Sequence, residues 1–144
     1  MSYDPTAGNP SVAMSTAKSA ANNTGSTIPI FMPVKITATG IQTVNPSVEA
    51  DIDAFAGVTA SAITNGSNGF IVSSGLIQNT GLSYPAGTAL WLSKSGGVTN
   101  VKPDIGVGGF VSGDWVVKLG VTLLNDSSPL LIDVIVFIEV KGQL

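Results

Sequence analysis

Trp115-Val-Val-Lys-Leu-Gly-Val-Thr-Leu-Leu124, Asn125-Asp-Ser-Ser-Pro129 and Leu130-Leu-Ile-Asp-Val-Ile-Val-Phe-Ile-Glu-Val140 follow one another without a helical period. The two flanking runs are dense in Val, Ile and Leu, and the middle five residues carry turn chemistry. This is the pattern of two β-strands and their connection. Residues 130–138 form the longest apolar stretch of the chain and include only one charge, Asp133. A membrane-spanning helix needs about 20 apolar residues, so the stretch reads as a core strand. A strand apolar on both faces implies burial on both sides. It is either the central strand of the domain or a strand whose outer face meets another subunit, and the two are compatible. Ile135 and Phe137 are the candidate contact residues on that face.

Working back along the chain, the same alphabet recurs. Residues 28–38 are β-branched and aromatic, but Pro29 and Pro33 cannot donate to a ladder, which assigns part of that run to a sheet edge. Residues 48–55 alternate, with Val48, Ala50, Ile52 and Ala54 on one face of an expected strand and Glu49, Asp51 and Asp53 on the other. Residues 57–62, 70–77 and 88–92 read as further strands, divided by glycine-containing turns at 65–69 and 84–87. Another turn follows at 95–97. Short strands at this spacing predict an all-β fold, an antiparallel β-sandwich or barrel of jelly-roll-like form, with a single β domain over residues 28–144. Residues 1–27 are poor in bulky apolar side chains and read as an extended N-terminal arm, with Asn9 and Pro10 suited to open a short helix over 11–21. Tyr3, Pro5, Pro10, Val12 and Met14 are the arm's candidate contact residues.

Composition narrows the chemistry. The 144 residues include no Cys, His or Arg; six Lys stand against seven Asp and two Glu, for a net charge of −3. The absence of Cys rules out disulfides, thiolate catalysis and Cys-based metal sites, and the absence of His removes the commonest general base and transition-metal ligand. A negative chain without Arg has no basic field for phosphates, so neither nucleic acid nor membrane is an expected partner. Glu49, Asp51 and Asp53, at about 7 Å spacing on a strand face, are the one weak candidate for a metal, Ca²⁺, although a solvated face explains them as well. The glycine-rich segment 106–113 does not fit G-x-G-x-x-G, since Val111 stands where the third glycine belongs. Ser15 and Lys18 form the one Ser-x-x-Lys, and it falls in the polar arm. Trp91 and Trp115 read as packing residues. With Tyr84 they are also the only candidates for a sugar-stacking platform. The expectation is a non-enzymatic protein without cofactor.

An ordered series of phrases adds a family. Gly57-Val-Thr-Ala-Ser-Ala-Ile63, Gly69-Phe-Ile-Val-Ser-Ser-Gly-Leu76 and Tyr84-Pro-Ala-Gly-Thr-Ala-Leu-Trp-Leu92 come first. They are followed by Gly96-Gly-Val-Thr-Asn100, Lys118-Leu-Gly-Val-Thr-Leu-Leu124 and Leu131-Ile-Asp-Val-Ile-Val136. In this order they resemble a β domain of tailed-bacteriophage decoration (cement) and head-fibre proteins. The resemblance spans a little over half of the chain and leaves residues 1–56 without a counterpart. It implies a small domain, commonly a homotrimer, that binds the major capsid protein on the virion surface and stabilises the assembled head. The alternative within the same resemblance is a receptor- or glycan-binding fibre tip.

Overall fold

The paired apolar runs at the end of the chain form a long antiparallel hairpin, and the remaining strands assemble outward from it. The computed structural model describes residues 16–144. Its strands are β1 (Thr16–Ala21), β2 (Pro33–Thr37), β3 (Gly40–Thr43), β4 (Phe55–Thr59), β5 (Asn68–Ile77), β6 (Ala89–Leu92), β7 (Val98–Thr99), β8 (Trp115–Leu124) and β9 (Ile132–Gln143). One short helix, α1 (Glu49–Asp53), interrupts them. The protein is all-β: every strand pairing is antiparallel, and the strands form one sheet in the order β3-β2-β4-β5-β9-β8-β6-β7, with β1 paired to β5 off that path. Register shifts in the β1–β5, β2–β4, β6–β8 and β8–β9 pairings bend the strands, and the sheet curls into a half-barrel.

The curl encloses the main core, whose fully buried members include Phe31, Leu90, Leu92, Val117, Leu119 and Val134. A second, smaller core of Ile28, Val34, Ile41, Ile63 and Ile71 lies on the other face. Ile71 and Val72 are successive residues of β5 and serve the two cores in turn, as the two-residue strand period requires. Around Ile71 and Val72 the β2–β5 half of the sheet is thus buried on both faces, while Phe70 and Leu76 of β5 stay exposed. In the β9–β8–β6 half, β9 carries buried Val134 and Val136 on one face and exposed Ile135 and Phe137 on the other. Among the described residues, the continuous apolar run of β9 therefore has one buried side, not two.

Three sequence expectations are corrected. Residues 48–55 are not a strand. β3 and β4 both run antiparallel to β2, from opposite sides, so they are parallel to each other and the link between them must carry the chain back. Helix α1 lies in that crossover, and the Ala and Glu residues that supplied the apparent alternation are good helix formers. Secondly, β2 is an internal strand and β3 takes the edge. Pro33 is the first residue of β2, and Pro29 stands before it, beside an isolated bridge between Ile28 and Ile63. Buried Phe31, at φ 57°, breaks the run between the two prolines. Thirdly, residues 16–21 of the expected arm are strand, not helix, and pair with residues 68–74 of β5.

Asn22 continues that attachment. Its side chain is fully buried; Nδ2 donates to the carbonyls of Ser26 at 2.8 Å and Ile63 at 2.7 Å, while Oδ1 accepts from the Thr24 hydroxyl at 2.7 Å and amide at 3.0 Å. Residues 16–27 therefore belong to the body. Tyr3, Pro5, Pro10, Val12 and Met14 lie outside the described residues.

Candidate interaction face

The outer face of the β5–β9–β8–β6 sheet is built by register. Directly paired residues of adjacent strands share a face, about 5 Å apart. Leu76 pairs with Ile135, Ile135 with Val121, and Val121 with Ala89, which sets four apolar side chains in a row across four strands. Leu76 is 47 % exposed and Ile135 46 %. Phe137, 37 % exposed, stands beside the row and pairs with Ser74. Backbone pairing on both sides holds β9 and β8 rigid, so these side chains are displayed at low conformational cost.

Beyond the row lies a cationic and aromatic strip. The Lys118 ammonium stands 5.2 Å from the Phe137 ring centroid and 5.9 Å from that of Trp91, and Lys102 approaches the same indole at 5.8 Å. These are cation–π distances. Glu139, the cross-strand partner of Lys118, pairs instead with Lys141 at 3.0 Å. Asp133, the carboxylate of the apolar run, is turned into the loops. It accepts from the Asn79 amide at 2.8 Å and the Asn125 side chain at 3.1 Å. Trp91 is only 7 % exposed and Trp115 packs against the main core. The Trp91 indole therefore presents no free face of the kind a sugar-stacking platform needs, whereas Trp115 is half-buried.

A second exposed group sits on the loop between β7 and β8. Val101, Ile105, Val107 and Val111 are exposed, yet the loop is pinned from below. Phe110 is buried beneath it, and Gly106, Gly108 and Gly109 take left-handed backbone conformations that fold the segment over that ring. Asp114 closes the loop: it accepts from Lys94 at 2.5 Å, from the Ser47 hydroxyl at 2.9 Å and from the Val111 amide at 2.9 Å. Burial alone would raise the Asp114 carboxyl. The hydrogen bonds from Lys94, Val111 and Ser47, with the Lys94 charge, outweigh it and hold the group below its ordinary value.

The acidic trio is dispersed by α1. Asp51 turns inward to an ion pair with Lys35 and accepts from the Asn45 amide at 2.9 Å, whereas Glu49 and Asp53 stay exposed. Burial pushes the Asp51 carboxyl up, and the Lys35 and Asn45 hydrogen bonds with the Lys35 charge pull it below the ordinary value. The expected row of three carboxylates does not exist, because residues two apart on a helix do not share a face. Among the described residues no group of three His, Cys, Asp or Glu side chains converges as a metal site. No helix among them is long and apolar enough to cross a membrane.

No family model, curated protein or solved structure matches the chain. The face is therefore read from its own chemistry. Sequence patterning found Ile135 and Phe137, but Leu76, Val121, Lys118 and Lys102 join them only through strand order. The Asp114–Lys94–Ser47 cluster had no signal in sequence, since its members are 20 and 67 residues apart.

Proposed function

We propose that the protein is a structural component of a tailed-bacteriophage virion, a decoration (cement) protein that binds the assembled head as an oligomer, with a homotrimer the expected form. The observation that carries this reading is the apolar row Leu76–Ile135–Val121–Ala89, exposed at Leu76 and Ile135 and half-buried at Val121 and Ala89, with exposed Phe137 beside it on a rigid sheet. Contiguous apolar surface of this kind marks interaction sites in folded proteins. The ordered phrases, in their resemblance to decoration and head-fibre proteins, point to the partner class, the major capsid protein. Such a protein stabilises a shell by mass action, because it binds the assembled lattice and not its separated parts.

The test has two stages. Light-scattering mass of the purified chain is expected to show an oligomer, and Ile135→Asp with Phe137→Asp is expected to convert it to folded monomer. Co-sedimentation with purified heads of the virus that encodes the chain is expected for wild type and lost in the double variant. A monomeric wild type that also fails to sediment with heads sinks the reading.

A further inference from the structure

The loop between β7 and β8 rises from the same side of the sheet as the apolar row. Val116 and Lys118 are two residues apart on β8 and share its outer face. Val116 is buried there, and Val101, Lys102 and Val107 of the loop line with it a cleft of about 550 Å³. Lys102 also reaches the indole of Trp91, the cross-strand partner of Lys118, at 5.8 Å. The loop thus stands on the outer face, beside the row. Phe110 beneath it and the bond from the Val111 amide to Asp114 fix its course, so Ile105, 58 % exposed, is held out in one arrangement. The exposed carboxylate of Asp104 adjoins Ile105 and accepts from its amide at 2.8 Å.

The chain presents two unlike apolar patches, each on a rigid support. One is flat, the Leu76 and Ile135 end of the row with Phe137, and Lys118 stands at its rim, 5.2 Å from the Phe137 ring centroid. The other is raised, Ile105 on the loop with Asp104 next to it. Each joins exposed apolar surface to one charge, and the two charges are opposite. We infer that the oligomer is joined head to tail: the β7–β8 loop of one copy seats on the outer face of the next, with Ile105 against Ile135 and Phe137 and Asp104 beside Lys118. Patches that differ in this way make a heterologous contact, and such contacts generate a ring where the rotation closes. Closure at three needs both contact surfaces turned toward the same side of the subunit, which is where the loop and the row lie. A two-fold contact through the row alone would leave Ile105 and Asp104 outside it. Opposite charges across the contact fix its register and reject like-charged surfaces. The inference rests on the oligomer proposed above and names its contact; the head plays no part in it.

Ile105→Asp in the full chain is expected to stay folded by far-ultraviolet circular dichroism and to run as a monomer in light scattering, under conditions where the wild-type chain assembles. Wild-type mass in this variant overturns the inference and leaves the oligomer standing. The chain has no cysteine, so the contact can also be trapped between two singly substituted chains. Asp104→Cys and Lys118→Cys chains, mixed in equal amounts and treated with a short bismaleimide, are expected to give covalent dimer at least about tenfold faster than either chain alone. Thiols held in an assembled contact meet at a far higher local concentration than thiols of separate molecules. Equal rates overturn the inference. Faster linking of the Lys118→Cys chain to itself overturns it too and assigns the face to a two-fold contact. A monomeric wild-type chain removes the oligomer itself, so failure of that reading is told apart from failure of the head-to-tail contact.

Discussion

Replacing Asp114 by Ala removes one carboxylate that accepts from three donors at once: the Lys94 ammonium, which keeps only its bond to the Ser47 hydroxyl oxygen at 2.7 Å, the Ser47 hydroxyl and the Val111 amide. The Asp114 side chain is 3 % exposed and that of Lys94 is 31 % exposed, so the pair is neither a surface ion pair nor a sealed one. Breaking a buried pair from one side costs about 3–5 kcal/mol. Water reaches Lys94 from its open side, and the lower end of that range applies, about 3 kcal/mol. A domain of this length unfolds with an entropy near 0.3 kcal/mol/K, so the melting temperature is expected to fall by about 10 °C. Glu139→Ala is the control. Its partner Lys141 stands at 3.0 Å, but the two side chains are 51 % and 42 % exposed, and the loss is expected to stay below about 0.5 kcal/mol. Thermal and urea unfolding of both variants, followed by tryptophan fluorescence, decides the matter. Because Val111 is released along with Lys94, proteolysis within residues 101–113 is expected to accelerate in the Asp114 variant alone. If the two substitutions cost the same, or Asp114→Ala costs less than about 1 kcal/mol, the pinning role assigned to Asp114 is refuted.

The remaining predictions concern pH, a buried amide and a close approach. Asp51 and Asp114 titrate below their ordinary value of 3.8 in the folded chain, so the stability they confer is complete above that value and disappears as pH falls through the folded one. Urea midpoints are expected to drop steeply below about pH 4, and Asp51→Asn with Asp114→Asn should flatten that drop; an unchanged acid limb counts against both ion pairs. Asn22→Ala takes the Asn22 amide donor from the carbonyls of Ser26 and Ile63 and the Oδ1 acceptor from the Thr24 amide, and is expected to cost about 2–3 kcal/mol by urea unfolding. A loss within about 0.5 kcal/mol would mean that residues 16–27 do not anchor the fold. At Gly120, an added Cβ would lie 2.2 Å from the Ile135 carbonyl oxygen, a backbone atom in the paired strand. Gly120→Ala is expected to destabilise by about 2 kcal/mol or more and to break the β8–β9 register next to Ile135, visible as faster amide exchange there.

How much of this was legible in sequence depends on the range of the interaction. The β8–β9 hairpin was readable because its signals are local: β-branched runs, and an Asn125 whose side chain accepts from the amides of Ser127 and Ser128 to shape the turn. Residues 48–55 misled for the same reason. Their alternation is a local pattern, whereas the need for a crossover follows from β3 and β4 flanking β2, which no local window contains. Asn22 looked like one more polar residue of a tail, and its burial depends on a carbonyl 41 residues away.

The missing Cys, His and Arg, the dominance of β-branched residues and the turn spacing determined, by themselves, an all-β chain with few reactive side chains. Those are properties of composition and of a two-residue period. Only tertiary structure decided that Leu76, Ile135, Val121 and Ala89 share one row, that Lys118 stands over Phe137, and that Asp51 and Asp114 are tied to lysines. Strand order and register place residues far apart in sequence side by side, and a one-residue slip would turn each of them to the opposite face.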